Sequence, residues 1–448
     1  MKPSIPILTL TFMTLTAIIG YAQESPMSLK ECINYTLNNN PSSTIYRNSV
    51  EIAKEKVTEN KSAFLPSIAA SAGMDYNAKL QTSVIPAGSL SDEETTLQMG
   101  NKYSNSASVQ LDQNIYDRSS AMDIKSAKVD EEIANLEALK ENEDLIYNTA
   151  LAYYEVLTYN EKQKLLEDSK TQYETLVGIL KLRYEQGVAK KSEYDRARVN
   201  YNNVLSEIEE NTSNYQLSLN KLKNAMGASL ESDITIEKDS KLEDVSDFSL
   251  VEGIAENVEN TLDYQIDQKN LELKELEISK NKAAYLPTLS AYANYGASSF
   301  GNDFSTAMST WYDYSTVGLK LNVPIFSGFK NSSKVKQSKL EYDNQILTNK
   351  LNVENYKLDI ENAKTQLVSS YANLKKNKEN LDLAKDVLDA STLEYREGTT
   401  DLSDLLDVDF SFKESRTNFI TSLFDYLNAQ IGYQKSKGSI TDYVNNLK

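Results

Sequence analysis

Histidine is absent from the 448 residues, and cysteine occurs once, as Cys32. Lack of histidine removes the commonest general base and the commonest metal ligand. A single cysteine excludes an intramolecular disulfide and a thiolate metal site. Cys32 follows Leu29-Lys30-Glu31 rather than the small apolar residues that precede a lipid-modified cysteine, so acylation is not expected there. Glycine and proline are scarce, 15 and 8 residues, which permits long uninterrupted helices. No basic stripe relieves the net charge of −18, so nucleic acid is not an expected partner, because binding it needs clustered cations to displace counterions. With no nucleophile motif either, the chain reads as no enzyme and no cofactor is expected.

One apolar run stands out. Met1-Lys2, a mostly apolar stretch from Ile5 to Ile19 and then Gly20-Tyr21-Ala22 make a secretory leader, residues 1–22, with cleavage expected after Ala22. The run is shorter than the roughly 20 apolar residues of a membrane span. No later segment is apolar for as long, so the mature chain is expected outside the cytoplasm and without a transmembrane helix.

What the chain does have is a duplication. Leu182-Arg183-Tyr184-Glu185-Gln186-Gly187, with Ser192-Glu193-Tyr194 after it, reappears as Leu393-Glu394-Tyr395-Arg396-Glu397-Gly398, followed by Leu402-Ser403-Asp404-Leu405-Leu406-Asp407. Seven-residue periods run into and out of each copy, and one glycine marks each reversal, as at the tip of an antiparallel helical hairpin. Asn60-Lys61-Ser62-Ala63-Phe64-Leu65-Pro66 is likewise repeated as Asn281-Lys282-Ala283-Ala284-Tyr285-Leu286-Pro287. Proline ends a helix and makes its predecessor extended, so each copy marks a switch from helix to strand. The expected divisions are a first repeat over 23–226, a connecting segment over 227–248 forming a belt around the helices, a second repeat over 249–437, and a loosely held tail over 438–448.

After each switch the period becomes two. Ile68, Ala70, Ala72, Met74 and Tyr76 alternate with small polar residues, and so do Tyr103, Ala107, Val109, Leu111 and Ile115 beyond an acidic stretch at Ser91-Asp92-Glu93-Glu94. In the second half Leu289, Ala291, Ala293 and Tyr295 are matched by Val317, Leu319, Leu321, Val323 and Ile325. The two strand pairs are expected at about 65–116 and 286–326. Strands of roughly 9–11 residues, apolar on one face and polar on the other, suit a wall between lipid and water. Four strands cannot close a barrel, and an open edge in lipid leaves backbone groups unpaired at several kcal/mol each, so several copies must share one barrel. An ordinary half-buried hairpin has the same periodicity, and the secretory leader favours the barrel.

Long helices are expected from about Ser119 to Tyr184 and from about Lys330 to Tyr395, each roughly 100 Å at 1.5 Å per residue. Ile146, Ala150, Tyr153 and Leu157 mark a packing seam in the first. Tyr194, Tyr201, Ile208, Tyr215 and Leu222, and then Leu405, Phe412, Phe419 and Tyr426, mark the returning helices at steps of seven, the spacing of supercoiled pairs. A rod-like scaffold or adhesin, periplasmic or on the cell surface and without channel activity, is the alternative reading, and it leaves the strands unexplained.

Leader, duplication and the order helix, Leu-Pro, strand pair, helical hairpin resemble the TolC-like outer-membrane efflux proteins over essentially the whole mature chain. The most specific motifs are the paired Leu-Pro junctions, Leu321-Asn322-Val323-Pro324-Ile325-Phe326-Ser327-Gly328, and Tyr395-Arg396-Glu397-Gly398 with Asp404-Leu405-Leu406-Asp407. The resemblance implies an α+β membrane protein in which three chains, four transmembrane strands each, share a 12-stranded barrel continued by a helical tunnel into the periplasm. It implies an outer-membrane exit duct for efflux or type I secretion, passive itself, working with a periplasmic adaptor and an inner-membrane transporter. Asp404 and Asp407 match the family's ring of aspartates at the periplasmic entrance, where three copies would favour cations. Tyr395 and Glu193 match a tyrosine and an acidic residue that latch the entrance, while Thr400 stands where the family has an arginine. Tyr184 and Gly187 at one tip, and Arg396 and Gly398 at the other, match the adaptor-docking turns.

Overall fold

The computed structural model describes residues 26–88, 95–237 and 257–446. The expected leader, the acidic stretch 91–94, residues 238–248 of the connecting segment and the start of the second repeat at Ser249-Leu250 lie outside them. Helix α1, Leu29–Asn39, opens with a capping box between Ser28 and Glu31. Asn40 caps α2, Pro41–Ser62, whose proline occupies the first turn where no N–H is needed. Beyond Leu65-Pro66 the chain becomes strand β1, Ser67–Tyr76. Strand β4, Tyr103–Tyr116, returns antiparallel to it. Asp117 then caps α3, Arg118–Glu185, and α4, Lys191–Met226, runs back along it.

The second half repeats the plan. A 3-10 turn, Val258–Asn260, leads to α5, Leu262–Ala283, then strands β5, Thr288–Gly301, and β6, Tyr312–Asn322. Helix α7, Lys330–Glu397, and α8, Leu402–Ser436, close the second hairpin. The two helix-to-strand junctions are tied alike. The Asn114 side-chain amide donates to the Ala63 carbonyl at 3.0 Å, and that of Asn331 to the Ala284 carbonyl at 3.1 Å. Both bonds satisfy carbonyls that the ending helix leaves without a partner.

The four long strands form one antiparallel sheet in the order β1-β4-β5-β6. The register sets Ile68, Leu111, Ala293 and Val317 in one row and Ser67, Asp112, Tyr292 and Gly318 in the next. One face is therefore mainly apolar and the other mainly polar. The apolar face is uncovered, with Val317 84% exposed, and β1 and β6 are open edges.

Helices α3 and α7 contain 68 residues each, about 100 Å. Their first halves pack with α2 and α5, and their second halves with α4 and α8. The main core lies at the middle of these helices. There Ile146, Val156, Leu222, Ile360, Leu374, Tyr426 and Ile431 are buried together with Cys32 and Ile33 of α1. Each such side chain contributes about 1.5–3 kcal/mol by leaving water. Cys32 is fully buried, and burial pushes its thiol up to about 12, which makes it inert. Ile234 and Ile236 of the connecting segment are buried in the same core, and Met27 pairs with the segment through Thr235 and Glu237.

The structure departs from expectation in three places. The first loop contains a small hairpin, β2, Gln81–Ile85, and β3, Thr95–Met99; its strands are too short to show a period. The second loop contains a short helix, α6, Phe304–Ser309. The tail is not loose. It forms α9, Ile440–Asn445, with Ile440 and Val444, four residues apart on one face, buried in the main core.

Candidate functional site

Both hairpin tips are built by the same device. Gly187 and Gly398 adopt left-handed φ of 75° and 76°, which glycine reaches without steric cost. The Val188 N–H then reaches the Arg183 carbonyl at 2.9 Å, and the Thr399 N–H reaches that of Glu394 at 3.0 Å. These bonds close the last turns of α3 and α7. Nothing lies within 4 Å of a side chain at either glycine, so both turns face open space. Arg396 is exposed beside Gly398, and Tyr184 stacks on Tyr194 of α4 with ring centroids 6.2 Å apart.

Asp401 caps α8 by accepting the Asp404 N–H at 3.1 Å. The first turn of α8 then alternates sharply. Leu402, Leu405 and Leu406 are buried, while Asp404 and Asp407 are exposed on the opposite face. The Thr400 hydroxyl donates to the Asp404 carboxylate at 3.1 Å. Thr400, at the position of the expected arginine, thus holds an aspartate of the candidate ring instead of reaching across the tips.

Beneath that face the two hairpins share a small core of Tyr173, Leu180, Ala197, Val204, Leu402 and Leu406, against which Tyr194, Tyr201 and Tyr395 pack. Tyr395 and Glu193 are both half-buried. Among the described residues no hydrogen bond joins them. The bonds that do cross between hairpins use other residues. The Tyr173 hydroxyl donates to Asp409 at 2.6 Å, and Lys413 binds the same carboxylate oxygen at 2.9 Å while lying 4.0 Å over the Tyr173 ring. Burial, then the Asp409 charge, holds the Tyr173 hydroxyl well above its ordinary pKa, so it remains a donor. Arg196 of α4 donates to the Ser403 hydroxyl at 3.1 Å, and Arg416 of α8 meets Asp168 at 3.4 Å.

A family model described as "Outer membrane efflux protein" matches residues 32–228 and 257–439. The chain belongs to that family. Its place is the outer membrane, and its fold is the α+β tunnel and barrel of TolC-like proteins. Outer membrane protein TolC of Vibrio cholerae is 26% identical over 326 residues, 70% of this chain and 68% of that one. The proteases secretion protein PrtF of Dickeya chrysanthemi is 22% identical over 214 residues, less than half of either chain at 45% and 44%. The solved structure of CusC, which forms a transmembrane channel, superposes with a TM-score of 0.74 at 14% identity, covering 92% of both chains. None of the helices among the described residues is long and apolar enough to cross the membrane.

The efflux-protein tip contains one group that heptad reading passed over. Asp409 falls in line with Leu402 at a step of seven and is 2% exposed. A lone carboxylate on an apolar seam is the signal that marks it; its partner Tyr173 lies 236 positions away. The seam itself is also wider than the tyrosines suggested. Ala197, Val204, Asn211 and Ser218, three residues on from Tyr194, Tyr201, Ile208 and Tyr215, are the more deeply buried set.

Proposed function

We propose that three copies of this chain share one 12-stranded barrel and one helical tunnel, forming a passive duct from periplasm to exterior. The observation that carries this reading is the four-stranded sheet, apolar on one face, polar on the other and open at β1 and β6. In lipid such edges must be paired, and joining β6 of one copy to β1 of the next pairs them all. The outer face of α7 supports the same assembly. Leu340, Leu347, Leu351 and Leu358, at steps of seven, four and seven, are exposed in the single chain, the stripe a neighbouring helix covers.

Asp404 and Asp407 of three copies would form an acidic ring at the periplasmic end, favouring cations and binding multivalent ones. The exposed turns at Gly187 and Gly398, with Tyr184 and Arg396, are the surface for a periplasmic adaptor, through which an inner-membrane transporter delivers cargo. Tyr395 and Glu193 are the residues proposed to latch the ring, and the Tyr173-Asp409-Lys413 group ties the same two hairpins. TolC-like and protease-secretion relatives leave both small molecules and proteins as cargo classes. The chain carries out no chemistry on either.

The test is the mass and conductance of the purified protein. A trimer in detergent that conducts ions after reconstitution is the expected result. A stable monomer, or a correctly folded oligomer that never conducts, overturns the proposal.

A further inference from the structure

The apolar face of the sheet ends in two polar side chains. Asn105 of β4 and Ser299 of β5 are register partners on the row above Ala107 and Ala297, and they are only 4% and 0% exposed. Helix α6 covers them. The Asn105 amide donates to the Ala307 carbonyl at 2.8 Å, and the Ser299 hydroxyl donates to the same carbonyl. Gly301, the next residue of β5 on that face, makes the fit possible. A side chain there would stand 2.5 Å from the Ala307 backbone nitrogen and 2.9 Å from its Cα. Asp303 holds the first turn of α6 by accepting the Thr306 N–H and hydroxyl at 2.9 and 2.8 Å. Helix α6 is thus docked on the outside of the sheet, over the two central strands β4 and β5 and away from the edges where another copy would pair.

The Met308 sulfur also accepts from Asn105 at 3.6 Å, yet the large apolar side chains of α6 and of Trp311, two residues beyond its end, stay partly uncovered. Phe304, Met308 and Trp311 are 54%, 48% and 43% exposed. Phe304 also meets Tyr103 edge to face at 6.1 Å. Trp311 precedes β6 by one residue, on the apolar face by the alternation of that strand. The apolar rows run from Leu289 and Leu321 up to Met74, Asn105 and Ser299. That span is ten residues of β5, roughly 34 Å along the strand, or about 24–28 Å across a bilayer at the usual barrel tilt of 35–45°. An apolar band of this height places α6 at its outer margin. Asp313 on edge strand β6, level with Ala107 and Ala297, marks the approach to the headgroups on the same side. At the opposite margin Ile325, Phe326 and Phe329 are exposed, and Phe329 is held outward at a left-handed φ of 63° with its ring edge-on to Phe326.

We infer that α6 is an interfacial foot: a short helix lying on the lipid-facing side of the barrel that seats Phe304, Met308 and Trp311 in the outer leaflet at headgroup depth. Aromatic and sulfur-bearing side chains with an apolar body suit that zone. The occupant of this face is lipid, because the face continues the apolar band and lies over central strands. The inference rests on the barrel reading above.

Trp311 is the single tryptophan of the chain, so its fluorescence reports this site without substitution. The protein is reconstituted into phosphatidylcholine vesicles carrying bromine either near the headgroup or deep in the acyl chain, and quenching by aqueous iodide is measured in parallel. Expected are a larger loss of Trp311 emission with the shallow bromines than with the deep ones, and weak quenching by iodide. Strong iodide quenching without bromine quenching overturns the foot, as does protection from both, which would mean that protein covers the residue. Flotation of the same samples separates the two claims. Protein that floats with the vesicles while Trp311 stays in water refutes the foot alone, and protein that never joins the vesicles refutes the barrel reading as well.

Discussion

Replacing Tyr173 with phenylalanine removes one oxygen atom from the tip core and leaves the ring that Lys413 covers at 4.0 Å. That oxygen makes a 2.6 Å bond to Asp409, a carboxylate whose other oxygen, Oδ1, is buried with no hydrogen-bond partner. After the change Asp409 keeps only Lys413. A hydrogen bond to a charged group contributes about 1.5–3 kcal/mol, and it is made between α3 of one hairpin and α8 of the other. Local opening of the first turns of α8 must break it. At 1.4 kcal/mol per factor of ten, amide exchange over residues 402–410 should quicken about 10- to 150-fold in Tyr173→Phe. Exchange in α5, far from the tip, should not change. Hydrogen exchange followed by mass spectrometry on the detergent-solubilised protein reads both segments at once. An effect below about twofold at 402–410 would show that the buried group does not pin α8.

Two further substitutions separate strain from crowding. Gly227 and Gly398 share left-handed backbones, φ 69° and 76°, but a side chain at 227 would lie 2.7 Å from the Asn40 Cα, whereas 398 faces open space. Gly398→Ala should cost about 1–2 kcal/mol from conformation alone, and Gly227→Ala about 1–3 kcal/mol more from overpacking; equal losses in urea unfolding would contradict this. Glu143 gives the pH dependence. Burial, then the charges of Asp144 and Asp263, raises it from its ordinary 4.5 to about 7, against the pull of Lys435 and Lys140. The folded chain therefore binds a proton there that the unfolded chain has lost, so this contribution to stability is full below about pH 4.5 and falls away as pH rises to about 7. The melting temperature of wild type relative to Glu143→Gln should drop across that window, and a difference independent of pH would refute the assignment.

Much of the architecture was legible because it is local and repeated. Leu65-Pro66 and Leu286-Pro287 stop helices by backbone chemistry alone, and period-two alternation from Ile68 to Tyr76 needs no knowledge of the partner strand. Gly187 and Gly398 announced the reversals in the same way. What escaped the sequence depends on distance along the chain. Asp409 reads as one more charge on a helix until Tyr173 is brought against it. Ala197 and Val204 are buried more deeply than the tyrosines three residues before them, a difference that the seven-residue step alone does not reveal. Helix α6 has only six residues, too few for a helical period to emerge. It is recognised through Asn105 and Ser299, whose polarity on an apolar face makes sense only once Ala307 lies above them. In the tail, Ile440 and Val444 are two isolated apolar residues until α9 turns them onto one face.

In the proposed duct, exposed carboxylates at the start of α8 set a cation-selective entrance. Single-channel recording in planar bilayers tests it most directly, comparing wild type with the double variant Asp404→Ala, Asp407→Ala, each with and without a trivalent cation on the helical side. Expected are small, cation-selective openings that the trivalent ion blocks in wild type and leaves largely unblocked in the double variant. Equal block of the two proteins would leave a duct whose entrance is guarded by other residues, and the absence of any channel from correctly folded oligomer would refute the duct itself.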